Sequence, residues 1–221
     1  MKFIPFLVFF CLAQISSPKT IYNHFVTEKK EVALTFDDGP YKESTEKVLN
    51  ILRNENVKAT FFVLGESVEK NKPTLKKIAS EGHSIGLHSF SHPNFHKMSY
   101  KEIKNEIIKN QAIIKDTLGY SPKIIRPPYG IITNNFLNVS IDLDLTIYTW
   151  SDDSFDWKKG NSPQDIVENV LKKVKPGQII LMHDKSANSS NSIKALPIII
   201  KKLKSKGYSF VTLSISSRIL V

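Results

Sequence analysis

Cysteine and arginine are scarce in this chain of 221 residues. Cys11 is the only cysteine, so no intrachain disulfide framework can form. Three of the 31 basic residues are Arg, and the formal net charge of +10 therefore comes from Lys scattered along the chain. A compact nucleic-acid reader more often concentrates Arg among aromatic residues, so we expect no nucleic-acid partner. The Lys excess instead indicates a loose attraction to an anionic cell wall or membrane surface.

Long apolar runs are absent after the N-terminus. Residues 3–15 are almost wholly apolar, follow Lys2 and precede the small residues Ser16 and Ser17. This run is shorter than the roughly 20 residues of a membrane span. It favours a secretory signal peptide over residues 1–17, with an uncleaved N-terminal anchor as the alternative. We therefore expect an exported protein, whether periplasmic, associated with the cell wall or secreted.

The rest of the chain shows neither repeats nor a linker and reads as a short arm, 18–30, followed by one domain, 31–221. Short β-like runs rich in Val, Ile, Leu, Phe or Thr alternate there with helical patterns. The predicted strands are 32–36, 59–64, 83–88, 123–126, 144–150, 178–183 and 208–214. The predicted helices are 44–55, 73–81, 99–118, 162–174 and 193–206, and polar residues 184–192 are predicted to form a loop.

Regular alternation of strand and helix predicts an α/β fold with parallel strands joined by crossovers. Several predicted strands are apolar throughout, which is typical of strands covered on both faces. About seven strands in this length indicate a closed or nearly closed β/α barrel, smaller than the usual eight units. A doubly wound open sheet is the alternative.

Polar side chains recur at or just past the ends of these predicted strands. They are Asp37, Asp38, His88, Arg126, Asp153 and His183. Because the carboxyl ends of parallel strands form the ligand-binding edge in both α/β architectures, we expect these side chains to meet there. Asp and His are poor strand formers, so folding alone does not require them.

Two of these segments offer ligands for a metal ion. In Asp37-Asp38, one carboxylate can hold a cation while its neighbour stays free as a base; the alternative is a turn whose Asp caps the next helix. His88 and His92 have i, i+4 spacing, which on a helical turn places both imidazoles on one face within reach of one cation. A coincidental pair of surface histidines is the alternative.

The other segments offer groups for proton transfer and charge stabilisation. Arg126 precedes two prolines that stiffen the chain, so it can hold a carboxylate by a forked contact. The Tyr129 N–H can face an oxyanion, although a rigid loop with a surface Arg would look the same. An acid beside His183 would favour its imidazolium form and make it a general acid. Trp157 and Leu181 can line a pocket for a methyl group or pack in the core.

The order and content of five segments resemble the polysaccharide deacetylase family, also called NodB-homology or carbohydrate esterase family 4 proteins. These segments are Thr35–Pro40, His88–His92, Arg126–Gly130, Asp153–Trp157 and Leu181–His183. The resemblance covers residues 30–215 and implies a distorted, partly open β/α barrel. One departure is Leu87, which stands where many members have Asn before the first metal-binding His.

The resemblance also implies a role for each matching residue. Asp38, His88 and His92 would bind one divalent metal ion, with Zn²⁺ first and Co²⁺, Ni²⁺ or Mn²⁺ as alternatives. Asp37 would be the base that activates the metal-bound water and Arg126 would position it. His183, tuned by Asp156, would protonate the leaving amine, and the Tyr129 N–H would stabilise the oxyanion. Substrate binding would fall to Pro128, Tyr129, Trp157 and Leu181.

The predicted function is therefore that of a metal-dependent hydrolase that removes N-acetyl groups from a glycan. Peptidoglycan N-acetylglucosamine is the first choice of substrate, and chitin oligomers or an exopolysaccharide are alternatives. An O-acetyl esterase acting on acetylated polysaccharide and a deacetylase of a lipid-linked sugar also remain open. We expect a monomer.

Overall fold

The computed structural model describes residues 21–185 and 189–215, so the predicted leader, 1–17, lies outside the described residues. Within these two ranges, nine strands belong to one sheet. They are β1 (Ile21–Tyr22), β2 (Glu31–Asp37), β3 (Thr60–Val63), β4 (Ser84–Leu87), β5 (Ile124–Ile125), β6 (Thr146–Tyr148), β7 (Asp152–Asp153), β8 (Ile179–His183) and β9 (Ser209–Phe210). The described helices are α1 (Lys42–Asn54), α2 (Gly65–Lys70), α3 (Lys72–Ser80), α4 (Tyr100–Leu118), α5 (Asn134–Asp142), α6 (Pro163–Leu171) and α7 (Ser189–Ser205).

The sheet curls into a partly open barrel. Its strand order is β1-β6-β5-β4-β3-β2-β8-β7, with β9 beside the start of β2, and the strands pair in parallel throughout. The four residue steps from Tyr148, at the end of β6, to Asp152, in β7, span at most about 14 Å. The two ends of the ladder must therefore lie close together. The predicted α/β fold class, a distorted and partly open barrel, is confirmed.

Apolar strands form the core because helices cover one face and the curled sheet encloses the other. In β2, every residue from Val32 to Asp37 is buried, and so are all four residues of β3. The helices bury one stripe each, as α1 does with Val48, Leu49 and Leu52. This pattern is the one expected for a two-sided parallel sheet.

Local signals set the helix ends. Ser99 and Glu102 form a capping box at the start of α4, and Gly119 ends this helix in a left-handed conformation with φ of 82°. Ser162 and Asp165 form the same box at the start of α6. The predicted bounds of α4 and α6 therefore agree with the structure to within a few residues.

Several elements escape the sequence pattern. Strand β1 lies in the predicted N-terminal arm, 18–30, and strand β7 contains only two residues. Both strands are defined by pairing with a neighbouring strand and not by an apolar run. Helices α2 and α5 were not predicted because α2 is short and α5 is rich in Asn. The predicted loop 184–192 is wrong in part, since α7 already begins at Ser189, while residues 186–188 lie outside the described residues.

None of the helices in the described ranges is both long and apolar enough to cross a membrane.

Candidate active site

A pocket of about 810 Å³ lies at the carboxyl edge of the sheet. It is lined by residues of strands β2 to β8 or of the loops that follow them, namely Asp37, Asp38, Leu64, His88, His92, Tyr129, Trp150, Asp153, Trp157, Leu181, His183 and Lys185. The register explains this convergence, because Asp37 at the end of β2 stands beside His183 at the end of β8. The predicted meeting of polar side chains at this edge is confirmed.

Asp38, His88 and His92 form a cluster whose candidate ligand atoms lie within 4.8 Å of one another. The Asp38 Oδ1 atom is 3.5 Å from Nε2 of His88 and 3.5 Å from Nε2 of His92. This oxygen is buried and has no hydrogen-bond partner among the described residues. Burial is the main reason why the pKa of Asp38 is raised. A cation between these three atoms would replace the missing partner.

The histidines are in the form that metal binding requires. His88 is buried, and its Nδ1 lies 2.8 Å from the carbonyl oxygen of Arg126, so Nδ1 carries the proton and Nε2 faces Asp38. Burial lowers the pKa of both His88 and His92, which keeps the imidazoles neutral. Because a backbone carbonyl orients His88, this support does not depend on Asn at position 87.

Tight turns, rather than a helix, bring the two imidazoles together. The i, i+4 spacing would place both imidazoles on one face of a helical turn, but residues 88–92 include no helical residue. Ser89 and His92 adopt left-handed backbone conformations with φ of 69° and 61°, and the His92 N–H donates to the Ser89 hydroxyl. Asp38 and Tyr129 are also left-handed. Such non-glycine conformations cost energy and tend to cluster at functional sites.

The donor set fits a divalent metal ion. One carboxylate and two neutral imidazoles are typical ligands of a catalytic zinc site, which keeps a position open for water or substrate. The buried Asp38 oxygen, which has no hydrogen-bond partner among the described residues, suits a cation ligand. Asp38, His88 and His92 are therefore the residues that would hold the metal.

Asp37 lies beside this cluster and is held by a buried arginine. Arg126 donates from one terminal nitrogen to Asp37 Oδ1 at 2.7 Å and to Thr35 Oγ1 at 2.8 Å, and from the other to the Thr149 carbonyl oxygen at 2.8 Å. Arg126 is fully buried, and its guanidinium lies 4.2 Å from the centre of the Phe62 ring. Asp37 Oδ2 is left facing His88 Nε2 at 3.8 Å.

His183 and Asp156 form a second ion pair in the pocket. His183 Nδ1 is 2.7 Å from Asp156 Oδ1, and the His183 backbone N–H donates to Oδ2 of the same carboxylate at 2.9 Å. Burial alone would lower the pKa of His183. The contacts with Asp156 and the charges of Asp37 and Asp38 outweigh burial and raise this pKa to about 9. His183 is therefore an imidazolium ion at neutral pH.

The predicted substrate-binding residues separate into two groups. Leu181 is buried under the pocket, while Trp157 and Tyr129 are exposed at its mouth, and Tyr129 packs edge-on against the His92 ring. Pro128 is buried and does not line the pocket, so its predicted substrate contact has no support there. The difference arises because the backbone reverses at Tyr129, where φ is 58°.

Three lining residues were not predicted from the sequence, namely Leu64, Trp150 and Lys185. Asp153 was singled out at a strand end but received no role; it accepts a hydrogen bond from the Phe155 N–H at 2.7 Å. Trp150 lies over Arg126 with 5.7 Å between the guanidinium and the ring centre. Because Trp150 stands just before the segment Asp153–Trp157, its position in the sequence could have indicated that it lies at the site.

Asp184 is a further missed residue. It is buried, its Oδ2 accepts a hydrogen bond from Thr45 at 2.5 Å, and the hydroxyl of Thr45 accepts from the Tyr41 N–H. Its carboxylate also packs against Gly39, where an added Cβ would lie 2.0 Å from the carboxylate oxygen. Burial raises the pKa of Asp184 to about 7. Asp184 thus fixes the turn that follows Asp37 and Asp38.

Comparison with known proteins identifies the family to which this chain is similar. Residues 25–148 match the family model described as polysaccharide deacetylase. A peptidoglycan-N-acetylglucosamine deacetylase from Bacillus cereus is 50% identical over 186 residues, which make up 84% of this chain and 67% of that protein. The peptidoglycan-N-acetylglucosamine deacetylase PgdA of Listeria monocytogenes is 44% identical over 184 residues, or 83% of this chain. The match spans 38% of the Listeria protein, well under half of its length.

A solved structure shares the architecture. The Bc1960 peptidoglycan N-acetylglucosamine deacetylase, crystallised with 4-naphthalen-1-yl-N-oxidanyl-benzamide, superposes with a TM-score of 0.84 at 47% identity. The match covers 87% of this chain and 90% of that one.

Proposed function

Because the chain belongs to the polysaccharide deacetylase family, we propose that it removes N-acetyl groups from the N-acetylglucosamine residues of peptidoglycan with the help of one divalent metal ion. One observation carries the proposal. The Asp38, His88 and His92 cluster, the Asp37–Arg126 pair and the Asp156–His183 pair all face a single pocket. Together they supply a metal site, a base and an acid for amide hydrolysis.

Asp38, His88 and His92 hold the metal ion in this proposal. A divalent cation bound there supplies Lewis acidity, which polarises a carbonyl group and makes water more acidic. Zn²⁺ is the first choice because Asp and His ligands suit it, and other divalent metals of similar preference are alternatives.

Asp37 is the general base. Arg126 occupies Oδ1 of this carboxylate, which leaves Oδ2 beside the His88 end of the cluster to accept a proton from the attacking water. The water oxygen then bonds to the acetyl carbonyl carbon. Because Arg126 is itself fixed by Thr35 and Thr149, the base is held in one orientation. Positioned proton transfer of this kind typically contributes about 10²- to 10⁴-fold in rate.

His183 is the general acid. Its ion pair with Asp156 keeps the ring protonated at neutral pH, so Nε2 can donate a proton to the leaving nitrogen as the carbon–nitrogen bond breaks. The products are acetate and a free amine on the sugar. Without this proton the sugar would have to leave as an amide anion, which is a very poor leaving group.

The remaining lining residues orient the acetyl group. Leu181 and Trp157 provide an apolar wall for the methyl group, and Tyr129 stands at the mouth beside His92. We assign the Tyr129 N–H to the oxyanion that forms on the carbonyl oxygen. A peptidoglycan substrate also fits an exported location, which the apolar residues 3–15 led us to expect.

The test is acetate release from matched substrates by the purified protein supplied with Zn²⁺. Peptidoglycan glycan strands, chitin oligomers and O-acetylated xylan are compared, and free amines on the sugar are counted in parallel. We expect acetate and amines in equal amounts, with peptidoglycan as the best substrate. Acetate from xylan alone, with no new amines, would replace the proposal with an O-acetyl esterase.

A further inference from the structure

A second cavity, of about 570 Å³, lies beside the active-site pocket. It is formed by the first turns of α1 and α7 together with the residue before α3. We call it the lysine pocket; it is lined by Tyr41, Lys42, Glu43, Ser44, Lys47, Asn71, Ser189, Ser190, Ile193 and Lys194. None of these residues belongs to the five sequence segments described above, and the proposed mechanism uses none of them.

Positive charge dominates this cavity. Lys42, Lys47 and Lys194 are exposed and face a single acidic residue, Glu43. Within residues 21–185 and 189–215, none of the three lysines takes part in an ion pair. Lys72, which lies outside this cavity, does pair with an acid, Asp116. The lysine pocket therefore attracts anions.

The lysine pocket and the active-site pocket share a wall. Tyr41 lines the former, Lys185 lines the latter, and the Lys185 ammonium lies 3.9 Å from the centre of the Tyr41 ring and donates to its hydroxyl group. Tyr41 follows Asp38 by three residues in the turn that carries the metal cluster. A polymer with one acetyl group in the active-site pocket can therefore extend across Tyr41 and Lys185 into the lysine pocket.

We propose that the lysine pocket binds carboxylate groups of acidic peptide stems on the glycan whose acetyl group is removed, an inference that rests on the proposed function. Peptidoglycan carries such stems beside its N-acetylglucosamine residues, whereas chitin is neutral. Flexible ammonium groups act as point charges and suit carboxylates whose positions vary along a chain. The cavity volume falls in the range of small-ligand sites, about 300–1,000 Å³. The lysine pocket thus selects a charged wall polymer over a neutral glycan of the same sugar.

The experiment compares two ligands, a stem-bearing muropeptide oligomer and a chitin oligomer of similar length. Affinity is measured by titration calorimetry, and kcat and KM are measured from acetate release. The test variant is Lys47→Glu with Lys194→Glu, and a milder version has Gln at both positions. The control is Lys101→Glu with Lys115→Glu on α4, which makes the same change in net charge at exposed positions that line neither pocket.

We expect the test variant to bind the muropeptide about tenfold more weakly than the unmodified protein, since exposed ion contacts are lost and repulsion is added. The loss should appear in KM rather than kcat, shrink at high salt, and be smaller for the Gln version. Chitin binding should not change. An equal loss with the α4 control, or an equal loss for both ligands, would overturn the proposal.

Acetate release tests the proposed function, and affinity tests the role of the lysine pocket. If the unmodified protein releases no acetate from either ligand, the proposed function fails. The affinity comparison still decides whether the lysine pocket prefers the stem-bearing ligand.

Discussion

Replacing Asp156 with Asn tests the assignment of His183 as the acid. Asp156 contacts both the ring and the backbone N–H of His183, and the side chain of His183 is 13% exposed. Asn keeps the size of the side chain but removes the charge that outweighs burial. The pKa of His183 should then fall from about 9 to about 7 or below, a change worth about 3 kcal/mol.

The effect of Asp156→Asn on catalytic activity depends on pH. At pH 8 the fraction of protonated His183 should fall from most of the protein to about one tenth, so kcat/KM should drop about tenfold. At pH 6 both proteins hold the proton, so they should differ much less. The assay is a pH profile of acetate release for both proteins at equal metal content, with the imidazole titration followed by NMR.

The same ion pair also links stability to pH. The folded-state pKa of His183 lies above the ordinary value of 6.5, so its stabilising contribution is fully present below pH 6.5 and is lost as pH rises through about 9. The melting temperature of the unmodified protein should therefore exceed that of Asp156→Asn more clearly at pH 6 than above pH 9. If acetate release by Asp156→Asn declines at the same alkaline pH as release by the unmodified protein, the reasoning is refuted.

Three further variants test other parts of the site. His92→Ala should lower metal content and activity together, and stoichiometric metal in the variant, measured by elemental analysis, would remove His92 as a ligand. Asp37→Asn should abolish acetate release while metal stays bound; normal turnover would exclude Asp37 as the base. Gly39→Ala should destabilise the protein by about 1–3 kcal/mol in urea unfolding, because its Cβ meets the buried Asp184 carboxylate. Unchanged stability of Gly39→Ala would contradict this packing argument.

Much of the fold was predictable because its strands are covered on both faces. The runs of β2, β3 and β8 are mostly apolar and do not alternate between apolar and polar residues, so they indicate strands buried on both faces. Capping residues such as Ser99 and Gly119 marked the ends of α4. Strands β1 and β7 were not predictable, because two residues carry no periodicity and tertiary pairing alone defines them.

The site was predictable where a polar residue interrupts an apolar strand, as at Asp37 and His183. What the sequence could not show is the backbone that joins His88 to His92. The spacing suggested a helical turn, whereas left-handed Ser89 and His92 produce the same convergence. The lysine pocket was also invisible in the sequence, since Lys47 and Lys194 are distant in the chain and the fold alone brings them together.

The most direct test of the account is acetate release from peptidoglycan by protein stripped of metal and then titrated with Zn²⁺, with Asp37→Asn as the parallel control. We predict no release without metal, recovery at one Zn²⁺ per chain, and no recovery in the control. Equal acetate release by the stripped protein, or by Asp37→Asn, would contradict a metal-dependent deacetylase that uses Asp37 as its base.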